Sequence, residues 1–196
     1  MKSETVRTFL AIELPDEAKK ALGALIDQME RVRVSSLRPV DLEGAHLTVK
    51  FLGDLTTDRI DAVSRRMSDV AGDSKPFTLR LGGVGAFPNS RSPRVLWIGI
   101  EWDTESLRTL QNRMEASLEG IGFPREVRPF HPHLTLARIG DRATPQDRRR
   151  VTEALFSADI QAGRPIRVSG ISLMRSTLLP TGAHYDRIAM ASFPAP

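Results

Sequence analysis

At 196 residues, 40% of them hydrophobic and 27% charged, the chain is long enough for one large domain or two small lobes around a sizeable core, and it reads as globular. No apolar run nears the roughly 18 residues of a membrane span, and the short apolar stretch Thr8–Ile12 lacks a leader's cleavage site, so a cytoplasmic location is expected. Absence of cysteine excludes disulfides, thiolate nucleophiles and cysteine-bound zinc, while a net charge of +4 and a pI near 9.9, carried mostly by arginine, favour an anionic partner or simply a solvated basic surface.

In chain order, Thr8 to Leu14 reads as a strand stopped by Pro15, followed by a helix through about Val32 with Ala18, Leu22, Leu25, Ile26 and Met29 at helical spacing. The passage from Arg33 to Gly44 reads as irregular and delivers the chain to a strand over 45–52, which Gly53-Asp54 is expected to end. Thr56 or Thr57 caps a helix to about Ala71. Phe77 to Leu81 begins a strand that runs into Gly82-Gly83-Val84-Gly85. This glycine string has neither dinucleotide-fold spacing nor a Lys-Ser/Thr ending, so a bulged strand is expected rather than a phosphate loop. Val95 to Trp102 completes a hairpin with it. Asp103 or Thr104 caps a helix to about Leu118, and a second irregular passage leads through Phe130-His131-Pro132 to a strand ending at 139. Thr144-Pro145 opens a helix carrying Val151, Ala154 and Leu155, and Gly163 stops the segment after it. Ile166–Leu173 and Tyr185–Ala191 are the last strands, joined across Pro180-Thr181-Gly182.

One phrase occurs twice. His46-Leu47-Thr48-Val49-Lys50-Phe51-Leu52-Gly53-Asp54 returns as His133-Leu134-Thr135-Leu136-Ala137-Arg138-Ile139-Gly140-Asp141. Strand side chains alternate between faces, so each phrase buries its aliphatics and offers an imidazole and a hydroxyl to a shared surface. The order strand, helix, His strand, helix, strand also repeats, over about 8–81 and 95–173. A duplicated α+β unit predicts two antiparallel-rich sheets related by a pseudo-twofold axis, helices outside, and a central cleft with His46 and His133 on opposite walls.

Two imidazoles facing one substrate supply a general acid and a general base near neutral pH, and two threonine hydroxyls can donate to phosphate oxygens. Such a site attacks phosphorus without a metal or a covalent intermediate. A zinc reading stays open, because His46, His131 and His133 offer three nitrogens, but threonine rather than a carboxylate accompanies each histidine.

The pair His46-Leu47-Thr48-Val49 and His133-Leu134-Thr135-Leu136 resembles the twin His-x-Thr/Ser-x signatures of the two-histidine (2H) phosphoesterase superfamily. The wider pattern resembles its RNA 2′,3′-cyclic phosphodiesterases, once described as 2′-5′ RNA ligases (LigT-like, ThpR). Arg7 to Pro15, Pro93 to Trp97, Phe130 to Arg138 and Gly182 to Tyr185 extend the likeness over nearly the whole chain. The resemblance implies a bilobal fold and hydrolysis of an RNA terminal 2′,3′-cyclic phosphate to a 2′-phosphate, with no metal or other cofactor. It implies His46 as proton donor, His133 as proton acceptor, and Thr48 and Thr135 on phosphate oxygens.

Arg138 matches a phosphate-contacting arginine of that family, although strict alternation turns it to the aliphatic face unless the strand bulges. Phe51, its counterpart, reads as core or base-stacking. His131 is a candidate substrate contact or a structural part of its turn; Phe9, Phe87, Trp97, Phe130 and Tyr185 are candidate base-stacking residues, and His184 reads as surface or turn. The expected partner is RNA with a cyclic-phosphate end, tRNA fragments among the candidates, and the expected state a monomer without membrane contact. The rival readings are a non-catalytic RNA-end binding module, an enzyme for small cyclic nucleotide phosphates, and ligation of half-tRNAs through a 2′-5′ bond.

Overall fold

A computed structural model describes residues 5–158, 165–179 and 182–195. In chain order its elements are β1 (Val6–Glu13), α1 (Asp16–Glu30), β2 (Leu37–Pro39), β3 (His46–Leu55), α2 (Thr57–Gly72), β4 (Phe77–Phe87) and β5 (Val95–Glu101). They continue with α3 (Thr104–Glu119), β6 (His133–Ile139), α4 (Pro145–Phe156), β7 (Ile166–Val168), β8 (Gly170–Leu179) and β9 (Gly182–Ser192).

The strands form two sheets, β3-β1-β8-β9 and β2-β6-β5-β4-β7, and every pairing between adjacent strands is antiparallel. The fold is therefore the α+β arrangement of two antiparallel sheets expected from the duplicated phrase. The order β3-β1-β8 in one sheet matches β6-β5-β4 in the other: a His strand, the strand that opens its half of the chain, then a strand from the other half. Each half thus lends its last strand across the molecule.

Helix α1 packs on α4 and α2 on α3. Each buries the stripe its spacing dictates, α1 through Ala18, Leu22, Leu25, Ile26 and Met29, and α3 through Leu107, Leu110, Met114 and Leu118. Fully burying one such leucine is worth about 2 kcal/mol. The start of α4 is written in its sequence. The Thr144 hydroxyl accepts from the Asp147 N–H, the Asp147 carboxylate accepts from the Thr144 N–H, and Pro145 fills the first helical position, where no N–H is needed.

Several sequence expectations are corrected. Gly53-Asp54 does not end the first His strand, which runs on to Leu55; Gly53 (φ 78°) instead occupies a left-handed position beside a register shift. The passage between α1 and β3 contains the strand β2. The expected strand Ile166–Leu173 is two strands separated by Ser169, β7 pairing with β4 and β8 with β1, so the chain changes sheets at that residue. On α4, Thr152 is buried beside Val151 and Leu155, while Ala154 is only partly covered. Gly163 and the Pro180-Thr181 turn lie outside the described residues.

The glycine string does lie in a bulged strand, with its register shift between Gly82 and Val84. Two of its glycines make room for partners on β5. A Cβ at Gly82 would sit 2.0 Å from Glu101 Cδ, and one at Gly85 would sit 2.1 Å from Trp97 Cζ2.

Candidate active site

Both His strands carry an extra residue at the same place. The β1–β3 ladder passes from Ala11↔Thr48 to Leu10↔Lys50, leaving Val49 unpaired, and the β5–β6 ladder passes from Trp97↔Thr135 to Leu96↔Ala137, leaving Leu136 unpaired. A bulge reverses the facing of everything beyond it. Val49 and Lys50 are consequently both buried, as are Leu136 and Ala137, and the next residues, Phe51 and Arg138, are exposed. Arg138 therefore shares the face of His133 and Thr135, and Phe51, 70% exposed, shares that of His46 and Thr48. The bulge that Arg138 needed is present, and the reading of Phe51 as core is corrected.

The two imidazoles are held alike. His46 Nδ1 lies 2.6 Å from the Gly44 carbonyl oxygen and His133 Nδ1 lies 2.7 Å from that of His131. A carbonyl only accepts, so Nδ1 carries a proton in each ring and Nε2 is left as the working nitrogen. Aromatic side chains wall each ring. Phe9 (4.6 Å between centroids) and Tyr185 (4.8 Å, edge-on) flank His46; Phe87 (5.0 Å, edge-on) and Trp97 (6.0 Å) flank His133.

Burial holds both imidazoles below the ordinary histidine value of 6.5, and in each the backbone carbonyl opposes this. Their charged surroundings differ in sign. The Glu13 carboxylate raises the proton affinity of His46, whereas the neighbouring His131 imidazole lowers that of His133. Glu13 is itself gripped by Arg187, whose Nε and Nη2 donate to its two oxygens at 2.8 Å each, and it accepts from the Ser172 hydroxyl. Burial is the larger influence on both rings; beneath it the nearby charges favour a proton on His46 and disfavour one on His133.

His46 and His133 stand in different sheets, on strands that meet in space. His46 lines a recess of about 170 Å³ with Glu13, Lys19, Glu43, Tyr185 and Arg187, and His133 one of about 220 Å³ with Phe87, Trp97, Arg108 and His131. A larger recess of about 800 Å³, lined by Asp73, Lys75, Phe77 and Arg167, holds no such pair of titratable groups. Thr48 and Thr135 are half-buried on the histidine faces, and among the described residues neither hydroxyl has a hydrogen-bond partner.

His131 is exposed and serves His133 through its carbonyl. Phe130 packs against the main core, and Phe9, only 2% exposed, is buried with Ala11 and Met174, so these two of the five candidate stacking residues have structural places. His184 is at the surface, 3.2 Å from Asp186. Among the described residues no three His, Asp or Glu side chains gather into a metal-ligand set. Sequence reading missed Glu13, Ser172 and Arg187. They come to His46 from strands β1, β8 and β9, and their positions carry no local motif.

Two antiparallel sheets with exchanged strands and flanking helices are the two-histidine phosphoesterase fold. Residues 14–178 match the family model of the 2′-5′ RNA ligase superfamily, and the chain belongs to that family. It is 31% identical to an RNA 2′,3′-cyclic phosphodiesterase of Methanothermobacter thermautotrophicus over 92% of this chain and 95% of that one. The crystal structure of TT0787 of Thermus thermophilus superposes with a TM-score of 0.77 at 27% identity, covering 95% of this chain and 97% of that chain. Apo LigT of E. coli gives 0.71 at 26% identity, covering 97% of this chain and 99% of that chain.

Proposed function

We propose that the chain hydrolyses an RNA terminal 2′,3′-cyclic phosphate to a 2′-phosphate, with His46 as the acid and His133 as the base. His133 Nε2 takes a proton from water as its oxygen attacks phosphorus. The bond from phosphorus to the 3′-oxygen breaks, and His46 Nε2–H protonates that oxygen, leaving a 3′-hydroxyl. The Thr48 and Thr135 hydroxyls donate to the non-bridging oxygens while Arg138 balances their developing charge. No step in this route calls for a metal.

The observation that carries this reading is the matched pair of carbonyl-held imidazoles, each presenting Nε2 on the threonine-bearing face of a bulged strand. The curated relatives' names support the same substrate class. A phosphate-binding module has no need of two titratable rings with opposed electrostatic surroundings, which favours catalysis over mere binding. We read the chain as one bilobal unit built from the repeat of about 8–81 and 95–173, acting as a cytoplasmic monomer, with tRNA fragments among its RNAs. No helix among the described residues is long and apolar enough to cross a membrane.

The deciding experiment incubates the protein and excess EDTA with an RNA ending in a 2′,3′-cyclic phosphate and identifies the new end. A 2′-phosphate with a free 3′-hydroxyl is expected. A 3′-phosphate product would reverse the choice of leaving oxygen, and loss of turnover on chelation would bring in a metal.

A further inference from the structure

Arg38 and Arg138 are direct cross-strand partners. Strand β2 pairs with β6 in the register Leu37↔Ile139, Arg38↔Arg138, Pro39↔Ala137. The flanking positions face inward, since Ile139 and Ala137 are buried and Leu37 packs on the core. Both guanidinium groups therefore leave from the opposite face, which beyond the bulge at Leu136 is the face of His133 and Thr135.

Like charges directly opposed on a sheet, with Cβ atoms about 5 Å apart, repel each other. Some other exposed arginines are matched to carboxylates, Arg94 to Asp141 at 3.4 Å and Arg125 to Glu119 at 2.8 Å. Arg38 and Arg138 are both exposed, and among the described residues neither has a carboxylate or hydrogen-bond partner. Successive phosphates of one strand, one brought to each fork, turn the repulsion into charge-assisted hydrogen bonds.

Resting on the reading of the site as one for RNA cyclic-phosphate ends, we propose that Arg38 extends the phosphate-binding face beyond Arg138 and holds the phosphodiester on the 5′ side of the terminal nucleotide. Strand β2 is the edge of the sheet, one strand spacing of about 4.8 Å farther out than β6. Arg138 serves the reacting phosphate, and Arg38 meets the strand only where a further phosphate follows. The residue so distinguishes an RNA end from a free mononucleotide.

The test compares adenosine 2′,3′-cyclic phosphate with an adenylyl dinucleotide ending in the same cyclic phosphate, on the wild type, Arg38→Gln, Arg38→Lys and Arg138→Gln. Arg38→Gln is expected to raise KM for the dinucleotide about tenfold, with kcat and both constants for the mononucleotide unchanged. Arg38→Lys should recover part of the loss, and Arg138→Gln should impair both substrates. The salt dependence of log kcat/KM for the dinucleotide should flatten by about 0.7 in Arg38→Gln.

Equal effects of Arg38→Gln on the two substrates, or none on either, overturn the proposal while wild-type turnover leaves the reading of the active site standing. Wild-type protein inactive on both substrates overturns that reading and this one with it. Thermal melting of Arg38→Gln should match or exceed the wild type, since a repulsion is removed; a lower midpoint would show a structural role for Arg38 and count against the clamp.

Discussion

Glu13 stands directly opposite His46 in the β1–β3 ladder, whereas the corresponding partner of His133 on β5 is Gly99. One imidazole therefore has a carboxylate beside it and the other has bare backbone. If His46 is the acid, Glu13→Gln lowers its proton affinity and moves the alkaline limb of the kcat/KM profile to lower pH, leaving the acidic limb in place. Profiles of the two proteins over pH 5 to 9 check this. A shift of the acidic limb instead would exchange the roles of the two histidines.

His46→Ala and His133→Ala should each reduce turnover on the order of 10² to 10⁴. Because the two act in one step, the double variant should lose far less than the product of the single losses. Single-turnover rates on a cyclic-phosphate RNA measure all three.

Stability should also follow pH through these rings. Burial depresses both histidines, so the unfolded chain binds protons that the folded one resists. Their contribution is complete above the unfolded value of 6.5 and is lost as pH falls through the lower folded values. The melting temperature is expected to fall on acidification below that value, and more gently in a His46→Asn/His133→Asn variant. Identical acid slopes would mean that carboxylates alone set the trend.

Gly85 is a seat for the indole of Trp97, which in turn flanks His133. Gly85→Ala must displace that ring, with a cost of about 1 to 3 kcal/mol, reduced activity and altered tryptophan fluorescence. Gly83→Ala is the control, since its Cβ would meet only Glu101 Oε1, at 3.9 Å.

The bulge at Val49 turns Lys50 inward to a buried pair, with Nζ 2.6 Å from Glu115 Oε2 and 2.9 Å from the Pro124 carbonyl. Glu115 also accepts from Gln111 and the Glu126 N–H, so this network fastens the approach to the second His strand. Lys50→Met strands a buried carboxylate and should cost about 3 to 5 kcal/mol; adding Glu115→Gln should return part of it in denaturant titrations.

The paired His-x-Thr phrases were legible because each lies within one strand, where alternation fixes the facing of neighbours. The partnership of Glu13, Ser172 and Arg187 was not, since it depends on register between strands far apart in sequence. Gly53-Asp54 has the composition of a turn, yet ladder pairing on both sides of Gly53 carries the strand through it. β2 escaped notice as three residues including a proline, which only an edge strand tolerates. The break falls at Ser169-Gly170, which has the composition of a turn, but nothing local in Ile166–Leu173 says which neighbours each part will choose.

That single residue has a mechanical meaning. Ser169 is the only residue between a strand of one sheet and a strand of the other, and its carbonyl accepts from the Phe193 N–H at 2.8 Å just past β9. With β4 committed in the opposite direction, the two walls are laced together by continuous chain and have no free hinge at this seam. At this seam the two sheets can shift relative to each other only as far as a single residue of chain allows.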